Sequence, residues 1–303
     1  MSFMRVSVLK NYGIPYMGSK SKICDELMQI LPKAENFYDL FGGGFSVTHA
    51  AIVHKKASHY YFNELTNGPV EIVEKAMRGE FSYKNFKPPF VSREEFFAKK
   101  DHCAYTRIIW SFGNNQKNYL FSEENERYKS SLHNAVVFDV FNKTAVDLLG
   151  IDKWPDGMKH IKNKRLFCRQ TIVSRSGELE QLQQLERLQQ LERLQQTSVH
   201  IEFSQKDYRE IEIKPNSIVY CDPPYIGTAK YLNEFSHKDF YDWARSAKFP
   251  IFISEYKMPD DFRKIASLGV KSMLSSKGPT SARENVYLNK FAADMFLNTK
   301  QKR

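Results

Sequence analysis

The stretch SIVYCDPPY, from Ser217 to Tyr225, decides the fold of this chain. Its first four residues form a mainly apolar run that is typical of a buried strand. The two prolines that follow have no backbone N–H to donate, so they must end the strand. Asp222 and Tyr225 are therefore predicted at the carboxyl end of a strand, where open α/β sheets bind their ligands.

Further strands and helices alternate upstream of this stretch. ENFYDLFGGGFSV, residues 35–47, alternates short apolar residues up to a glycine cluster, and VTHAAIVHKK continues with helical character. ASHYYFNEL, residues 57–65, is predicted as a strand, and NGPVEIVEKAM as a helix. Because strands that alternate with helices form parallel sheets, we expect an α/β protein with a Rossmann-like sheet.

The sheet pattern is interrupted in the middle of the chain. Residues 119–199 are mainly helical and basic, and strand-like segments resume with VHIEF and continue through PIFISEY and ENVYLN. We therefore predict a sheet domain of residues 1–118 and 200–303 and an inserted, mainly helical domain of residues 119–199. Trp110 and Phe112, just before the insert, are expected in the core.

A hexapeptide, LERLQQ, recurs within the low-complexity residues 176–196. Leucine occupies every third position, and such a row drifts by about 60° per step around an α-helix, which argues against a heptad coiled coil. A helix is still predicted, because Leu, Gln, Glu and Arg all favour it. Two roles stay open: a spacer of tolerant length, or an arm that contacts DNA or a partner.

The chain is basic, with 45 Lys and Arg against 35 Asp and Glu and a net charge of +10. An excess of cations eases the approach to a polyanion, so nucleic acid is a candidate partner beside a merely solvated basic surface. One segment without acids is predicted to face phosphate, and its cations are Lys159, Lys162, Lys164, Arg165, Arg169 and Arg175.

Membrane and metal-binding classes are disfavoured by the same sequence. No apolar run approaches the ~20 residues of a membrane span, and MSFMRVSVLKNYG lacks the apolar core of a signal peptide, so a cytoplasmic protein is expected. The four cysteines and eight histidines show no ligand spacing, so neither a metal site nor a disulfide framework is predicted.

The glycine turn DLFGGGFSV, residues 39–47, can bring a ligand close to the backbone. It lacks the spacing of GxGxxG and the Lys-Ser/Thr of a P-loop, so bound ATP is disfavoured. Glu64, at the end of the next predicted strand, can accept the hydroxyls of a ribose. The pair predicts a cofactor that carries a ribose, and a purely structural turn is the alternative.

In order, these motifs resemble the Dam-like class of DNA adenine methyltransferases. The order is Tyr16-Met-Gly-Ser-Lys20, DLFGGGFSV, Asn63-Glu64, WSFGNNQKNYL, an insert, FSQKDY and DPPY. The resemblance covers most of the chain outside residues 123–199. It implies a Rossmann-like methyltransferase sheet with a helical target-recognition insert. It also implies an enzyme that transfers methyl from S-adenosylmethionine to the 6-amino group of adenine in double-stranded DNA.

The resemblance also implies roles by position. The residues that it places at the cofactor are Tyr16, Lys20, Asp39, Phe41, Gly42, Gly43, Glu64, Asp207 and Asp222. The catalytic turn is Asp222, Pro223, Pro224 and Tyr225. Lys20 is also implied at the DNA. For Asp39 and Asp207 a structural cap at a strand end is the alternative. Many members of the class have glycine at the position of Phe45 and tryptophan at that of Tyr16.

Further DNA contacts are predicted from the residues themselves. Asn114 and Asn115 are candidates for contacts to the target base or the backbone beside it, and turn capping is the alternative. Lys162, Lys164 and Arg165 are candidates for phosphate contacts. Ser254, Glu255 and Tyr256, which follow a strand, either line the same cleft or lie on the surface.

The DPPY turn fits this chemistry. Adenine must leave the base stack to reach a methyl donor, and Tyr225 offers the flipped base an aromatic face. Asp222 and the Pro223 carbonyl can each accept one N–H of the amine, which aims its lone pair at the methyl. The mechanism needs no metal and no covalent enzyme intermediate.

Other functions compete with this interpretation. A methyltransferase acting on RNA adenine or on a glutamine amide would use a similar turn, and a DNA-binding module that has lost activity would keep the fold. A structural protein that assembles through the LERLQQ segment is a third class. A cognate restriction endonuclease is a candidate partner, and a monomer or weak dimer is expected.

Overall fold

A seven-stranded sheet carries the predicted motifs. The computed structural model describes residues 11–84, 86–173, 182–195, 199–225, 235–271 and 281–297. In chain order the strands are β1 (Asn36–Asp39), β2 (His59–Asn63), β3 (Ile201–Ser204), β4 (Ser217–Cys221), β5 (Ile251–Glu255), β6 (Arg263–Lys271) and β7 (Ser281–Leu288). The helices are α1 (Cys24–Ile30), α2 (Ser46–Val53), α3 (Pro69–Met77), α4 (Arg93–Lys99), α5 (Ala104–Ile109), α6 (Glu123–Phe138), α7 (Lys143–Leu149), α8 (Ile161–Val173), α9 (Gln183–Leu194), α10 (His237–Ser246) and α11 (Lys290–Leu297).

The spatial order of the strands is β3-β2-β1-β4-β5-β7-β6. The first five are parallel, whereas β7 runs antiparallel to both β5 and β6. Strands β1, β4 and β5 are buried along their whole length, as expected of parallel strands with both faces covered. The α/β class and the Rossmann-like sheet that the sequence predicts are confirmed.

The chain divides into two units. The sheet unit comprises residues 1–13, 18–70 and 198–303, and the helical unit comprises residues 14–17 and 71–197. The boundary expected at residue 119 therefore differs from the structure, in which the helical unit begins about 50 residues earlier. The reason is that residues 82–111 bond to α9: Tyr83 donates its hydroxyl to the Leu185 carbonyl at 2.9 Å, and Arg187 donates to the carbonyls of Ile109 and Ser111 at 2.6 and 2.7 Å.

The LERLQQ segment forms part of the core of the helical unit. Leu185, Leu188, Leu191 and Leu194 of α9 are fully buried. A leucine row that drifts by about 60° per step spans half the circumference of a helix in four leucines, and α9 has neighbours on that whole side. Within the described residues 182–195 the repeat is thus a helix, as predicted, and its buried leucines contradict a spacer; a contact of its exposed side chains to DNA or a partner stays a prediction, and residues 176–181 and 196 lie outside the description.

In the part of the chain that the structure describes, no helix combines the length and apolar character needed to cross a membrane.

Candidate active site

Three acidic side chains lie at the point of the sheet where the strand order changes direction. Strands β1, β2 and β3 succeed one another toward one edge, whereas β4 and β5 lie on the other side of β1. Asp39, the last residue of β1, is in register with Phe62 of β2 and Tyr220 of β4. Glu64 and Asp222 each lie two residues beyond those partners, so the three acids share the carboxyl edge of the sheet, at its switch point.

The glycine turn after β1 is fastened to the end of β2. The Gly42 N–H donates to the Asn63 carbonyl at 2.9 Å, and the Gly43 N–H donates to Glu64 Oε2 at 2.7 Å. A Cβ on Gly42 would lie 2.0 Å from the ring of Phe62, so only glycine fits there. The turn ends at Phe45, whose φ of 65° falls in the left-handed region that favours glycine.

Glu64 is held by the backbone and retains capacity for a ligand. Its carboxylate is buried, with Oε2 bonded to Gly43 and Oε1 to the N–H and the hydroxyl of Thr66. A carboxylate offers about four lone-pair sites, so three internal donors leave room for a further one. This is the acceptor that the sequence predicts for a ribose hydroxyl.

The two carboxylate oxygens of Asp39 differ in their hydrogen bonding. The residue is fully buried, and Oδ2 accepts the Thr48 hydroxyl at 2.8 Å. Among the described residues Oδ1 has no hydrogen-bond partner. Burial raises the pKa of Asp39 to about 7, although the Thr48 hydrogen bond opposes this. A cationic donor from a ligand would satisfy Oδ1 and keep the carboxylate ionised.

Lys20 joins two carboxylates beside the DPPY turn. Its Nζ lies 2.7 Å from Asp222 Oδ2 and 3.3 Å from Glu284 Oε1. The side chains of Lys20 and Glu284 are each 8% exposed, and that of Asp222 is 18% exposed. Although burial opposes the charged form, the two carboxylates raise the pKa of Lys20 to about 12. The ammonium group is therefore charged whenever the protein is folded near neutral pH.

The protonation of Asp222 is set by opposing effects. Burial raises the pKa of Asp222, Lys20 lowers it, and Glu284 raises it further. Without the ammonium group at 2.7 Å, burial and a second carboxylate would together favour the neutral acid. Lys20 thus helps to keep Asp222 an anion that can accept hydrogen bonds.

Tyr225, Tyr256 and His237 complete the surroundings of the turn. The Tyr225 ring has Lys20 Nζ 4.7 Å from its centroid and the Tyr256 ring at 4.7 Å and 62°. Tyr256 is 48% exposed, so an aromatic edge is available to a ligand. His237 Nε2 donates to the Pro224 carbonyl at 2.7 Å, which gives a role to a histidine that the sequence left unassigned.

Strand β5 ends in buried polar residues rather than in surface ones. Ser254 accepts the Tyr220 hydroxyl at 2.7 Å, and both Ser254 and Glu255 are buried. Glu255 Oε1 accepts the Tyr256 N–H at 2.7 Å, and burial raises the pKa of Glu255 to about 7. The surface alternative is therefore wrong for Ser254 and Glu255.

Asp207 is occupied within the sheet unit. It caps the helical turn Tyr208–Glu210, and its two oxygens accept hydrogen bonds from the Arg209 guanidinium at 2.8 and 2.9 Å. That pairing lowers the pKa of Asp207. Phe41 packs on Tyr208, with ring centroids 5.2 Å apart. The geometry is that of the capping alternative, and a contact of Asp207 to the cofactor stays a prediction.

The remaining predicted residues belong to the helical unit. Asn115 Oδ1 accepts the N–H groups of Lys117 and Asn118 at 2.9 and 3.0 Å, which is turn capping. Asn114 adopts φ 59° in the same turn. Phe112 is 61% exposed, so the expectation that it lies in the core is wrong, whereas Trp110 is fully buried as expected. Tyr16 also groups with this unit, and its contact to the cofactor stays a prediction.

Two of the three predicted phosphate-binding cations have internal partners. Lys164 is buried and forms an ion pair with Asp139. Arg165 pairs with Glu186 at 2.5 Å and donates to Gln189 at 2.6 Å. Lys162 is exposed. The structure thus gives Lys164 and Arg165 a structural role and leaves Lys162 accessible to DNA.

Sequence reasoning missed Glu284. The segment ENVYLN predicts a strand that begins at Glu284, whereas β7 begins at Ser281 and Glu284 lies inside it. The available signal was an acidic residue next to an apolar strand pattern. Over the described ranges, no group of three or more His, Cys, Asp or Glu side chains could hold a metal ion.

Comparison with known proteins adds a family to this geometry. The family model of the D12 class of N6 adenine-specific DNA methyltransferases matches residues 16–249. The chain is also similar to the type II methyltransferase M.FokI of Planomicrobium okeanokoites, with 24% identity over 292 residues. That alignment covers 87% of this chain and 36% of M.FokI, so the chain spans little more than a third of the relative's length.

Proposed function

Since the chain belongs to the D12 class of N6 adenine-specific DNA methyltransferases, we propose that it methylates the 6-amino group of adenine in double-stranded DNA. The observation that carries the proposal is the DPPY turn at the end of β4, where an ionised Asp222 lies beside the ring of Tyr225. A planar amine with two N–H donors fits an anionic acceptor next to an aromatic face.

The residues of the switch point suit S-adenosylmethionine as the methyl donor. When bound, this cofactor supplies a methyl group activated by a sulfonium centre. Asp39 Oδ1, for which the described residues provide no hydrogen-bond donor, would hold the ammonium group of its methionine part. Glu64 would accept a ribose hydroxyl, and the Gly42–Gly43 turn would allow close approach to the backbone.

Asp222 would orient the amine. The lone pair of an adenine 6-amino group is delocalised into the ring, so the nitrogen must become tetrahedral before it can bond to carbon. An acceptor at Asp222 and another at the Pro223 carbonyl would each take one N–H and leave the lone pair directed at the methyl group. The reaction then depends mainly on positioning, which two adjacent prolines support by restricting the backbone.

Glu284 would let Lys20 remain paired when the substrate binds. Asp222 Oδ2 lies 2.7 Å from Lys20 Nζ. As the amine donates to Asp222, Lys20 can shift toward Glu284, which lies 3.3 Å away, without becoming a buried unpaired cation. Glu284 is thus a positioning residue that acts through Lys20.

An Asp222→Ala variant tests the proposal. We expect methyl transfer from labelled cofactor to DNA to fall by roughly 100-fold or more, while binding of the cofactor stays measurable. The fold should persist, because Lys20 keeps Glu284 as a partner. Asp242→Asn, at an exposed residue of the same unit, is the control and should retain full activity. Full activity of Asp222→Ala would refute the mechanism.

Two other functions of the same fold are separated by direct measurements. An inactive DNA-binding module would show no transfer and no binding of labelled cofactor. The Lys20–Asp222 pair argues against it, as does Asp39 Oδ1, which has no donor among the described residues. An RNA adenine methyltransferase would label RNA in preference to duplex DNA, and the family match favours DNA.

The relative's description as a type II methyltransferase suggests a restriction–modification role. We propose a cognate endonuclease as the biological partner and the bacterial cytoplasm, which contains the DNA, as the location. Sequencing DNA from a methylation-free host that expresses the chain would identify the modified motif. That DNA should then resist an endonuclease that cleaves the motif. A mass measurement in solution tests the expected monomer or weak dimer.

A further inference from the structure

One face of α8 is exposed and has an unusual composition. The side chains Lys162, Asn163, Leu166, Arg169 and Gln170 are all exposed. Their spacing, i, i+1, i+4, i+7 and i+8, places them along one stripe of the helix, which we call the α8 face. The stripe therefore presents two cations, two amides and one apolar group to whatever approaches it.

The α8 face is held rigidly from behind by charged contacts. Lys164 is buried and paired with Asp139, which directly follows α6. Arg165 is paired with Glu186 and Gln189 of α9. These cations anchor α8 to two neighbouring helices.

Apolar contacts hold the same side of the helix. Cys168 and Ile172 are buried, and the Phe167 ring meets that of Trp154 edge-to-face at 5.8 Å. Lys164, Cys168 and Ile172 follow one another at intervals of four and form the buried stripe. A recognition element needs such a fixed helix, because base contacts are lost when the side chains are misplaced by about 1 Å.

The charge of the α8 face suits a polyanion. The sequence from Lys159 to Arg175 contains no Asp or Glu. Among the described residues, Asp139 and Glu186 pair with the anchoring cations Lys164 and Arg165, and Asp156 is an exposed acid that lines the same cavity as Asn163, Leu166 and Gln170. Lys162 and Arg169 lie on a stripe of α8 that contains no Asp or Glu, so the stripe itself carries the positive charge expected where phosphates are to bind.

The composition of the face also distinguishes base reading from phosphate binding alone. Arginine pairs bidentately with guanine, asparagine and glutamine pair bidentately with adenine, and an apolar side chain contacts the thymine methyl. Asn163, Leu166 and Gln170 also line a surface cavity of about 350 Å³ that is open to a protruding group. A helix of 13 residues is about 20 Å long and about 10–12 Å across with its side chains, so its diameter fits a major groove of about 12 Å width.

We propose that the α8 face lies in the major groove of double-stranded DNA and reads part of the recognised sequence. Arg169 contacts guanine, Asn163 and Gln170 contact adenine, and Lys162 neutralises a phosphate at the amino end of the helix. The inference rests on the proposed function, because it assigns the specificity of that same enzyme to one helix.

The test compares single variants on a randomised DNA library. Libraries are incubated with the full chain and sequenced for modified adenines in every context. We expect Arg169→Ala to relax one guanine position of the motif by about 5- to 150-fold, and Asn163→Ala or Gln170→Ala to relax an adenine position. Lys162→Ala should lower modification evenly across contexts and reduce the salt dependence of DNA binding by about one phosphate contact. Lys143→Ala, at an exposed cation of α7, should change neither.

The possible outcomes distinguish a failure of the proposed role of the α8 face from a failure of the proposed enzyme activity. The five substituted residues, the four on the α8 face and Lys143, are all exposed, so all variants are expected to have the same melting temperature. Unchanged contexts and an unchanged salt dependence in the α8 variants would overturn the inference and leave the face to a protein partner. If the wild-type chain modifies no DNA, the proposed function fails, and selection of bound sequences from the same library still decides whether α8 reads bases.

Discussion

Replacing Glu284 by glutamine asks whether Lys20 needs its second carboxylate. Glutamine keeps the shape of glutamate and removes the charge, so among the described residues Asp222 becomes the one carboxylate paired with Lys20. With an effective dielectric constant of about 20, unit charges attract by about 6 kcal/mol at the 2.7 Å of Lys20–Asp222 and about 5 kcal/mol at the 3.3 Å of Lys20–Glu284. These similar values mean that Lys20 can move between the two carboxylates at little cost, and that the variant removes this freedom.

Two effects on activity follow, and they have different signatures. In Glu284→Gln the substrate amine must compete with Lys20 for Asp222, at a cost of about 2 kcal/mol for one charge-assisted hydrogen bond, which is roughly 30-fold in kcat. At the same time Asp222 loses a neighbouring negative charge that raises its pKa. The acidic limb of the pH–rate profile should therefore move to lower pH while the plateau falls.

The assay is single-turnover methyl transfer to duplex DNA between pH 5 and pH 8, with cofactor affinity measured in parallel. Glu284→Asp should recover part of kcat, because it restores the charge at a slightly greater distance. A merely structural role would lower the active fraction and leave the acidic limb in place. An unchanged kcat, or a limb displaced to higher pH, would refute the argument.

Three further predictions concern stability. Arg187→Met should lower the free energy of unfolding by about 2–3 kcal/mol, since two buried carbonyls lose their donor. Arg193 occupies the same position in the next hexapeptide but is exposed, so Arg193→Met should change that free energy by less than about 0.5 kcal/mol. Urea titrations measure both. Burial lowers the pKa of His133 from 6.5 to about 4, so between these pH values the unfolded chain binds a proton that the folded chain does not. The difference in unfolding free energy between wild type and His133→Asn should therefore shrink by about 2 kcal/mol from pH 7 to pH 5. A difference that stays constant with pH would contradict this. Gly13→Ala should lower the melting temperature far more than Gly18→Ala. Both residues have positive φ, but a Cβ on Gly13 would lie 2.1 Å from the Gly44 carbonyl oxygen, whereas one on Gly18 meets no described atom within 4 Å. Equal losses of melting temperature would show that the backbone relieves the clash.

The parallel half of the site could be predicted from sequence because its geometry follows from connectivity. Each strand in βαβ order ends at the same edge, so Asp39, Glu64 and Asp222, which follow or end successive apolar runs, had to meet. The direction of β7 carries no comparable signal in the sequence. Because β7 is antiparallel to β5, its first residues rather than its last lie at the carboxyl edge of the parallel strands. The sequence therefore did not predict that Glu284 would lie there.

In the helical unit the sequence predicted a basic segment but not which cations are free. Lys162, Lys164, Arg165 and Arg169 are alike in type and lie within eight residues. The helical phase separates them: Lys164 shares the stripe of buried apolar residues. The acids that pair with Lys164 and Arg165 are more than 20 residues distant in the chain, which local patterns do not reveal.

The LERLQQ repeat shows a different limit. Arg187 and Arg193 occupy the same position in two identical hexapeptides, yet Arg187 is buried with two carbonyl acceptors and Arg193 is exposed. Six residues turn an α-helix by about 600°, so consecutive copies differ by about 120° in the direction they face. Identical sequences are thereby placed in different environments, and only the surrounding helices decide which copy enters the core.

Two buried lysines of the protein illustrate why Glu284 is more than a charge partner. Lys164 is as buried as Lys20, and among the described residues its ion pair is with one carboxylate, that of Asp139, while the Trp154 ring lies 5.7 Å from its ammonium group. If neutralising a buried ammonium were the whole task at Lys20, Asp222 alone would serve in the same way, and a second buried carboxylate would only add a desolvation cost. A second carboxylate, that of Glu284, stabilises the protein when the first, that of Asp222, has to weaken its ion pair with Lys20. In the proposed mechanism Asp222 is in that position, since the carboxylate that pairs with Lys20 would also accept an N–H of the adenine amine.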